Sequence, residues 1–398
     1  MLDLDEAQRR VLDSVVPLGK ERVPLESAVS RVLASDVVSP VNLPGFDYSA
    51  MDGYAIDVGA HVGVSHAKRR VVGESRAGGP SPPRLVPGTA MRILTGAPIP
   101  EGADAIVMQE ETTREGEMLT LTGAPRPGDH VRRAGEDLVR GTIVLRRGTR
   151  LRPSHVPLLA ALELVRPEVH RKPVVTVLAT GDELREPGAV ARPGTIIETN
   201  GLAIAAMARA VGAHVRLLPI APDDREALRA AVLDALDGAD VALTIGGVSV
   251  GDHDLVKPIL EEVGVVLDFW RVSIKPGKPL AMGRRGATRV LGLPGNPVSA
   301  MITFLLFAAP LLRALEGERD PLPKRIHARL SRDVKHHPGR TEFLRATISD
   351  EGGEQVVTPI ASQSSGSIVS MAWADALVVV PRDAPGLAKD ALVEVIRL

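Results

Sequence analysis

Between residues 173 and 312, strand-like apolar runs alternate with helical patterns. This alternation constrains the fold more than any other feature of the 398-residue chain. Val174–Ala179 is a continuous apolar run of the kind buried on both faces of a sheet. Residues 201–211 follow as a helix with Asn200 as its cap. Val215–Ile220 reads as a strand, and Asp223 with Glu226 as a capping-box-like start to a helix reaching Leu236. Val241–Ile245, Val265–Val272 and Val290–Leu293 read as strands, and Asp254–Val263 and Val298–Leu312 as helices. The pattern predicts a mainly parallel α/β sheet with right-handed crossovers. In such sheets ligands bind outside the carboxyl ends of the strands.

The flanks have a different texture. Residues 3–16, 25–38 and 154–165 carry helical periodicity. From about 46 to 150, short apolar runs (Val71–Val72, Met91–Leu94, Ala105–Met108, Met118–Leu121, Thr142–Leu145) are separated by Gly- and Pro-rich turns, which predicts a small β domain inserted into a helical segment. After Pro321 and Pro323 come five short strands: Ile326–Leu330, Phe343–Ile348, Val356–Ile360, Ala376–Val380 and Leu392–Ile396. Val298–Leu312 is the longest apolar stretch. It is too short to cross a bilayer comfortably and contains Pro310, so a buried helix is expected and no membrane association. The acidic N-terminus lacks the apolar core of a secretory signal, so the expected location is the cytosol.

Composition removes several function classes. With 48 basic and 49 acidic residues the net charge is −1, which argues against a global nucleic-acid surface. The absence of cysteine excludes disulfides, thiolate zinc sites, a cysteine nucleophile and protein-ligated iron–sulfur clusters. Five Phe, two Trp and two Tyr are too few for a base-stacking platform. The 38 glycines and 32 prolines point instead to loops built from backbone.

Five loops carry chemistry. In Ala179-Thr-Gly-Asp-Glu-Leu184, Thr180 and the Asp182–Glu183 carboxylates sit at a strand end, suiting a divalent metal, a general base or merely a polar turn. In Thr244-Ile-Gly-Gly-Val-Ser-Val-Gly-Asp-His-Asp254, the N–H groups of Gly246, Gly247 and Gly251 can converge on an anion, with Ser249 as a further donor. Asp252 and Asp254 would repel a bare phosphate unless Mg²⁺ lies between, and Asp252 can equally cap a helix. In Ser273-Ile-Lys-Pro-Gly-Lys-Pro279, prolines frame Lys275 and Lys278, an arrangement suited to an oxyanion or phosphate. Leu291-Gly-Leu-Pro-Gly-Asn-Pro-Val-Ser299 reads either as a helix start, with Asn296 the cap and Pro297 the first residue, or as a pocket wall offering Ser299. Pro44-Gly-Phe-Asp-Tyr-Ser-Ala-Met-Asp-Gly-Tyr-Ala-Ile56 holds three of the nine aromatics with Asp47 and Asp52, and reads as a structural corner, a lid or a subunit contact.

Together with Met91-Arg-Ile-Leu-Thr-Gly-Ala-Pro-Ile-Pro-Glu-Gly-Ala-Asp-Ala-Ile-Val107, Arg132-Arg-Ala-Gly-Glu-Asp-Leu138 and Gly339-Arg-Thr-Glu-Phe-Leu-Arg345, these loops resemble the molybdopterin molybdenumtransferase family, which includes the gephyrin E domain. The resemblance implies a discontinuous helical linker domain (1–45 and 141–170), an inserted β domain (46–140), a molybdopterin-binding α/β domain (171–318) and a C-terminal β barrel (319–398). It implies a homodimer whose site combines the α/β domain of one subunit with the Met51-Asp-Gly53 region of the other. Substrates would be molybdate and adenylylated molybdopterin, with Mg²⁺, and AMP would leave. Asp52, Glu183 and Asp254 match acidic positions tied to catalysis and metal, and Asp137 a further acidic position. Lys275 and Lys278 match lysines facing phosphate and oxyanion. Ser299, Arg340 and Ser365 match molybdate positions, with Ser364 and Ser367 as alternative candidates for the last, and Pro294 and Pro297 match pocket prolines. Tyr48 departs from the Asn that many members carry. Expected partners are a molybdopterin adenylyltransferase and molybdoenzymes or cofactor-carrier proteins. The alternatives are a molybdopterin adenylyltransferase, which would be the α/β unit alone, and a non-catalytic scaffold or peptide-binding module.

Overall fold

The computed structural model describes residues 1–59, 66–247 and 255–398, the side chain of Trp270 excepted. The chain forms two compact units. One comprises Met1–Ser35, Arg147–Pro153 and Arg166–Leu398, the other Asp36–Arg146 and Ser154–Val165.

The first unit is built on a six-stranded sheet. Its strands run in the order His214–Leu217, Val174–Ala179, Val241–Ile245, Thr288–Leu293, Pro279–Arg285 and Val266–Arg271. The first four are mutually parallel, as the alternation predicts. Pro279–Arg285 joins antiparallel to both neighbours and was not foreseen as a strand. Its sequence, PLAMGRR, lacks β-branched residues and ends in two arginines. It is held by a close approach at Gly283, where a Cβ would lie 2.8 Å from the Val266 carbonyl oxygen. Helices cover the sheet because their apolar stripes need burial. Leu4, Ala7 and Val11 of the Leu4–Leu12 helix enter the main core with the long Pro297–Leu315 helix. That helix is long and apolar enough for a membrane span, yet 78% of it is buried within the protein. Its middle, Phe304–Ala308, widens into a π segment whose Leu306 carbonyl accepts from the Gln8 side-chain amide (3.0 Å).

The five C-terminal strands close into a barrel. Thr341–Glu351 pairs with Glu354–Pro359 on one side and Ala376–Val380 on the other. Arg325–Leu330 and Leu392–Arg397 complete the circuit. Strand alternation sends Leu344 and Ala346 into the barrel core and Phe343 into the core of the α/β sheet. A short parallel pairing, Ile274 with Thr341 and Lys275 with Glu342, then stitches the lysine loop to the barrel.

The second unit is a mixed sheet in the order Ala105–Met108, Gly53–Ile56, Thr89–Ile93, Lys68–Ser75, Met118–Leu121 and Thr112–Glu115. One face buries Tyr54, Ile56 and Val107, the other Ala55, Met91 and Ile106.

Several expected elements differ. Residues 25–38 are not a helix. A 3-10 turn, Leu25–Ser27, gives way to bridges at Val32 and Leu33 and a strand at Val37–Val38. Ser30 at φ 67° interrupts any helix, and Val32, Leu33 and Ala34 are buried in succession. The 154–165 helix shortens to His155–Ala161. Asp224, not Asp223, caps the Arg225–Leu236 helix, accepting from the N–H groups of Glu226 and Ala227. Asn200 lies inside the Asn200–Val211 helix and does not cap it. Buried Glu198 instead accepts from Gly201 N–H at 2.6 Å.

Candidate functional site: a basic cavity at the sheet edge

Three strand ends converge where the parallel sheet stops. Thr180 donates its N–H to Ile245 (3.1 Å), and Gly246 donates to Leu293 (3.2 Å). A Cβ on Gly246, at φ 87°, would stand 2.9 Å from the Thr180 carbonyl oxygen, so the approach requires glycine. Gly247 is also left-handed, at φ 64°. The Asn200 amide donates to the Gly295 carbonyl (2.6 Å) and ties the Pro294–Asn296 turn to the helix beside it. Pro294 is buried, and Pro297 is the first residue of its helix as expected, although the Asn296 side chain makes no cap bond.

Glu183 and Asp182 are exposed at this edge. A Cβ on Gly181, at φ 146°, would lie 2.4 Å from Glu183 Oε2, so the carboxylate folds back over its own turn. Asp182 does not close a local turn. It exchanges backbone-to-carboxylate bonds with Asp223, 3.1 Å in one direction and 3.4 Å in the other.

Beside these strand ends lies a cavity of about 300 Å³ lined by five residues singled out from the sequence: Lys275, Lys278, Ser299, Arg340 and Ser365. They come from four segments of the chain. The lysines are on the loop between sheet strands, Ser299 is on the buried helix, and Arg340 and Ser365 flank barrel strands. Gly277, buried at φ 108° between the lysines, lets the loop press against Thr303. Ser365 accepts the Val298 N–H through its carbonyl (3.1 Å), which anchors its segment to the helix start.

Glu342 and Arg345 also line the cavity, and sequence reasoning did not select them. The available signal was a pair of charges flanking Phe343 and Leu344 in a strand-like segment, Glu342-Phe-Leu-Arg345. Glu342 is 6% exposed and sits 2.8 Å from the Lys275 ammonium. Arg345 is fully buried. It donates to the Ser362 and Ser364 carbonyls at 3.0 and 3.1 Å, while burial holds its guanidinium below the usual arginine range and Glu342 partly offsets that. The Gln363 amide clasps the Arg345 backbone, accepting from its N–H (3.1 Å) and donating to its carbonyl (2.9 Å). Four cations against one carboxylate give the cavity a positive balance of the kind that suits a small polyanion. A larger cavity, about 650 Å³, lies elsewhere in the unit against Met207, Phe304 and Leu305, and its Arg150 and Glu318 already pair at 2.8 Å.

The remaining predicted residues are not gathered there. Asp52 and Asp137 belong to the second unit. Asp52 Oδ1 accepts from Thr95 N–H (2.7 Å) and Thr95 Oγ1 (2.8 Å), the N–H first among the causes that hold the carboxyl below the ordinary aspartate range. Asp137 pairs with Arg132 at 2.6 Å. Asp47 accepts from Ala134 N–H (2.7 Å) and Arg133 (2.6 Å), which lower its carboxyl, the backbone bond first. Tyr48 pairs through its backbone with Arg132 and packs its ring edge-on to Phe46. Ser249, Gly251 and Asp254 lie outside the described residues. Among the described residues no cluster of three His, Asp or Glu side chains forms a ready metal site.

Comparison with known proteins agrees with this architecture. Residues 2–162 match the MoeA N-terminal region (domain I and II), 176–314 a probable molybdopterin binding domain, and 327–398 the MoeA C-terminal region (domain IV). The molybdopterin molybdenumtransferase of Haemophilus influenzae is 37% identical over 390 residues, covering 96% of this chain and 95% of that protein. That of Bacillus subtilis is 33% identical over 402 residues, covering 99% and 94%. The crystal structure of the molybdopterin biosynthesis moeA protein from Pyrococcus horikosii superposes with a TM-score of 0.85 at 31% identity, over 100% of this chain and 99% of that one. The motifs, the fold and near-full-length identity place the chain in the molybdopterin molybdenumtransferase family, transferases of molybdenum cofactor biosynthesis.

Proposed function

We propose that the chain transfers molybdenum from molybdate to adenylylated molybdopterin, with AMP as the leaving product. The observation that carries this reading is the 300 Å³ cavity uniting Lys275, Lys278, Ser299, Arg340 and Ser365. Molybdate is a compact dianion, and it is best held by fixed cations with hydroxyl donors between them. The cavity reaches the glycine-lined strand ends through Asn296, although the Gly246 N–H there, expected from the sequence as an anion donor, and the Thr180 N–H are already bonded within the sheet. Lysine ammonium groups brought to the cavity by the loop stabilise charge as it develops on the departing phosphate. The dithiolene sulfurs arrive on the pterin, consistent with a chain that has no cysteine.

A divalent cation suits the carboxylates of this chain. Both Thr95 bonds fall on Oδ1 of Asp52, which leaves Oδ2 for a ligand, and Glu183 is exposed at the sheet edge. These hard oxygens fit Mg²⁺, which would neutralise phosphate charge when bound. Asp52 would come from a second copy in a homodimer. The decisive experiment mixes purified protein, adenylylated molybdopterin, Mg²⁺ and molybdate and follows AMP. Molybdate-dependent release is expected, and its absence from folded protein refutes the reading.

A further inference from the structure

Glu342 is out of place in a cavity whose other charged lining residues are all cations. It puts a buried carboxylate beside the space assigned to a dianion. We propose that Glu342 is a positioning residue that aims the Lys275 ammonium into the cavity. The inference rests on the reading of the cavity as the oxyanion site.

The geometry is specific. Lys275 and Glu342 are register partners in the short parallel pairing between the lysine loop and the barrel. The pairing is reinforced by Thr341 N–H donating to Ser273 O (3.1 Å) and Ser273 Oγ donating to Gly339 O (2.8 Å). Glu342 Oε1 is 2.8 Å from Lys275 Nζ. Glu342 Oε2 is 3.8 Å from His336 Nε2, and that imidazole is itself lodged between the carbonyls of Ala384 (2.8 Å) and Arg340 (3.0 Å). Arg345 adds a favourable charge from within the barrel wall. The carboxylate is thus fixed, whereas the Lys275 side chain is 50% exposed on a flexible stem. An ammonium carries three donors. One is spent on Glu342, leaving two for the cavity, with the rotamer entropy already lost before the anion arrives.

The alternative has the opposite sign. If Glu342 did nothing for Lys275, removing its negative charge would tighten dianion binding several-fold. The test titrates inorganic molybdate into the full chain by calorimetry, comparing the parent with Glu342→Gln, which keeps the shape and loses the charge. A loss of affinity on the order of ten-fold is expected, with an unchanged thermal transition. In the AMP-release assay KM for molybdate is expected to rise by the same factor and kcat to fall as well, because Lys275 also stabilises the departing phosphate. Glu342→Asp retains the charge one methylene back and is expected to recover part of the affinity. Should Glu342→Gln not fold, the Asp variant decides alone, and parent-like or tighter binding by it overturns the proposal. Tighter or unchanged binding by Glu342→Gln overturns it too. A parent protein that binds no molybdate refutes the cavity reading itself, whereas binding by the parent that is indifferent to Glu342 refutes only the positioning.

Discussion

Gly277 is where the fold and the basic cavity depend on the same atom, and replacing it by alanine separates two physical costs. The residue lies between Lys275 and Lys278 at φ 108°, a region a side chain enters only with strain of about 1–3 kcal/mol. The new Cβ would also sit 2.6 Å from Thr303 Cγ2 and 3.1 Å from Ile274 Cδ1. Thr303 cannot turn away easily, because it is fully buried and its hydroxyl donates to the carbonyls of Ser299 (2.8 Å) and Ala300 (3.0 Å). Overpacking of this kind adds about 1–3 kcal/mol. The total, roughly 2–6 kcal/mol, is a large part of the 5–15 kcal/mol that holds a typical domain together. The protein therefore either loses that stability or moves the loop and displaces both lysines. Scanning calorimetry and a molybdate titration, run on the same samples, are expected to show a lowered transition, weakened binding, or both. Thr303→Ser removes the offending methyl and keeps the hydroxyl, so the double variant is expected to regain the packing share and not the backbone share. A Gly277→Ala protein that melts and binds like the parent refutes the argument. A double variant no better than Gly277→Ala refutes the steric half of it.

Other sites give sharper single readings. Gly53→Ala would put a Cβ 2.0 Å from the Val107 carbonyl oxygen inside the Gly53–Ile56 and Ala105–Met108 pairing. Strand separation and rapid proteolysis of the second unit are expected, and parent-like protease resistance would count against this. The Asp52 carboxyl is held below its ordinary range, so its bonds to Thr95 persist throughout neutral pH and are lost only as pH falls through that lowered value. Thr95→Val deletes the hydroxyl donor and keeps the larger backbone contribution. Carbon-13 NMR titration is expected to show the carboxyl moving partway up, and an unmoved value would remove the hydroxyl from the account.

What could be read from the sequence divides along a physical line. Val174–Ala179 and Ala376–Val380 match their expected bounds because an unbroken apolar run has one way to be buried. Residues 25–38 misled because Leu25, Ala28, Val29 and Val32 fall at helical spacing, while the left-handed Ser30 that forbids the helix leaves no trace in composition. The cap at Asp224 was misassigned by one residue because Asp223, its neighbour, is engaged across space with Asp182. The cavity shows the same division. Lys275 and Lys278 stand in a motif whose residue types announce anion chemistry, Ser299 in a loop that reads as a pocket wall, and Arg340 and Ser365 stand out only through the family resemblance; the fold brings all five to one place. Glu342 and Arg345 do not announce themselves, since a charged residue in a strand ordinarily faces water. Their burial is created by barrel closure and by the pairing of Ile274–Lys275 with Thr341–Glu342, contacts between segments far apart in the chain. Local pattern cannot encode such a register. The loop residues that line the cavity were therefore legible segment by segment, while the buried charges packed beside them became identifiable only once the strands were paired.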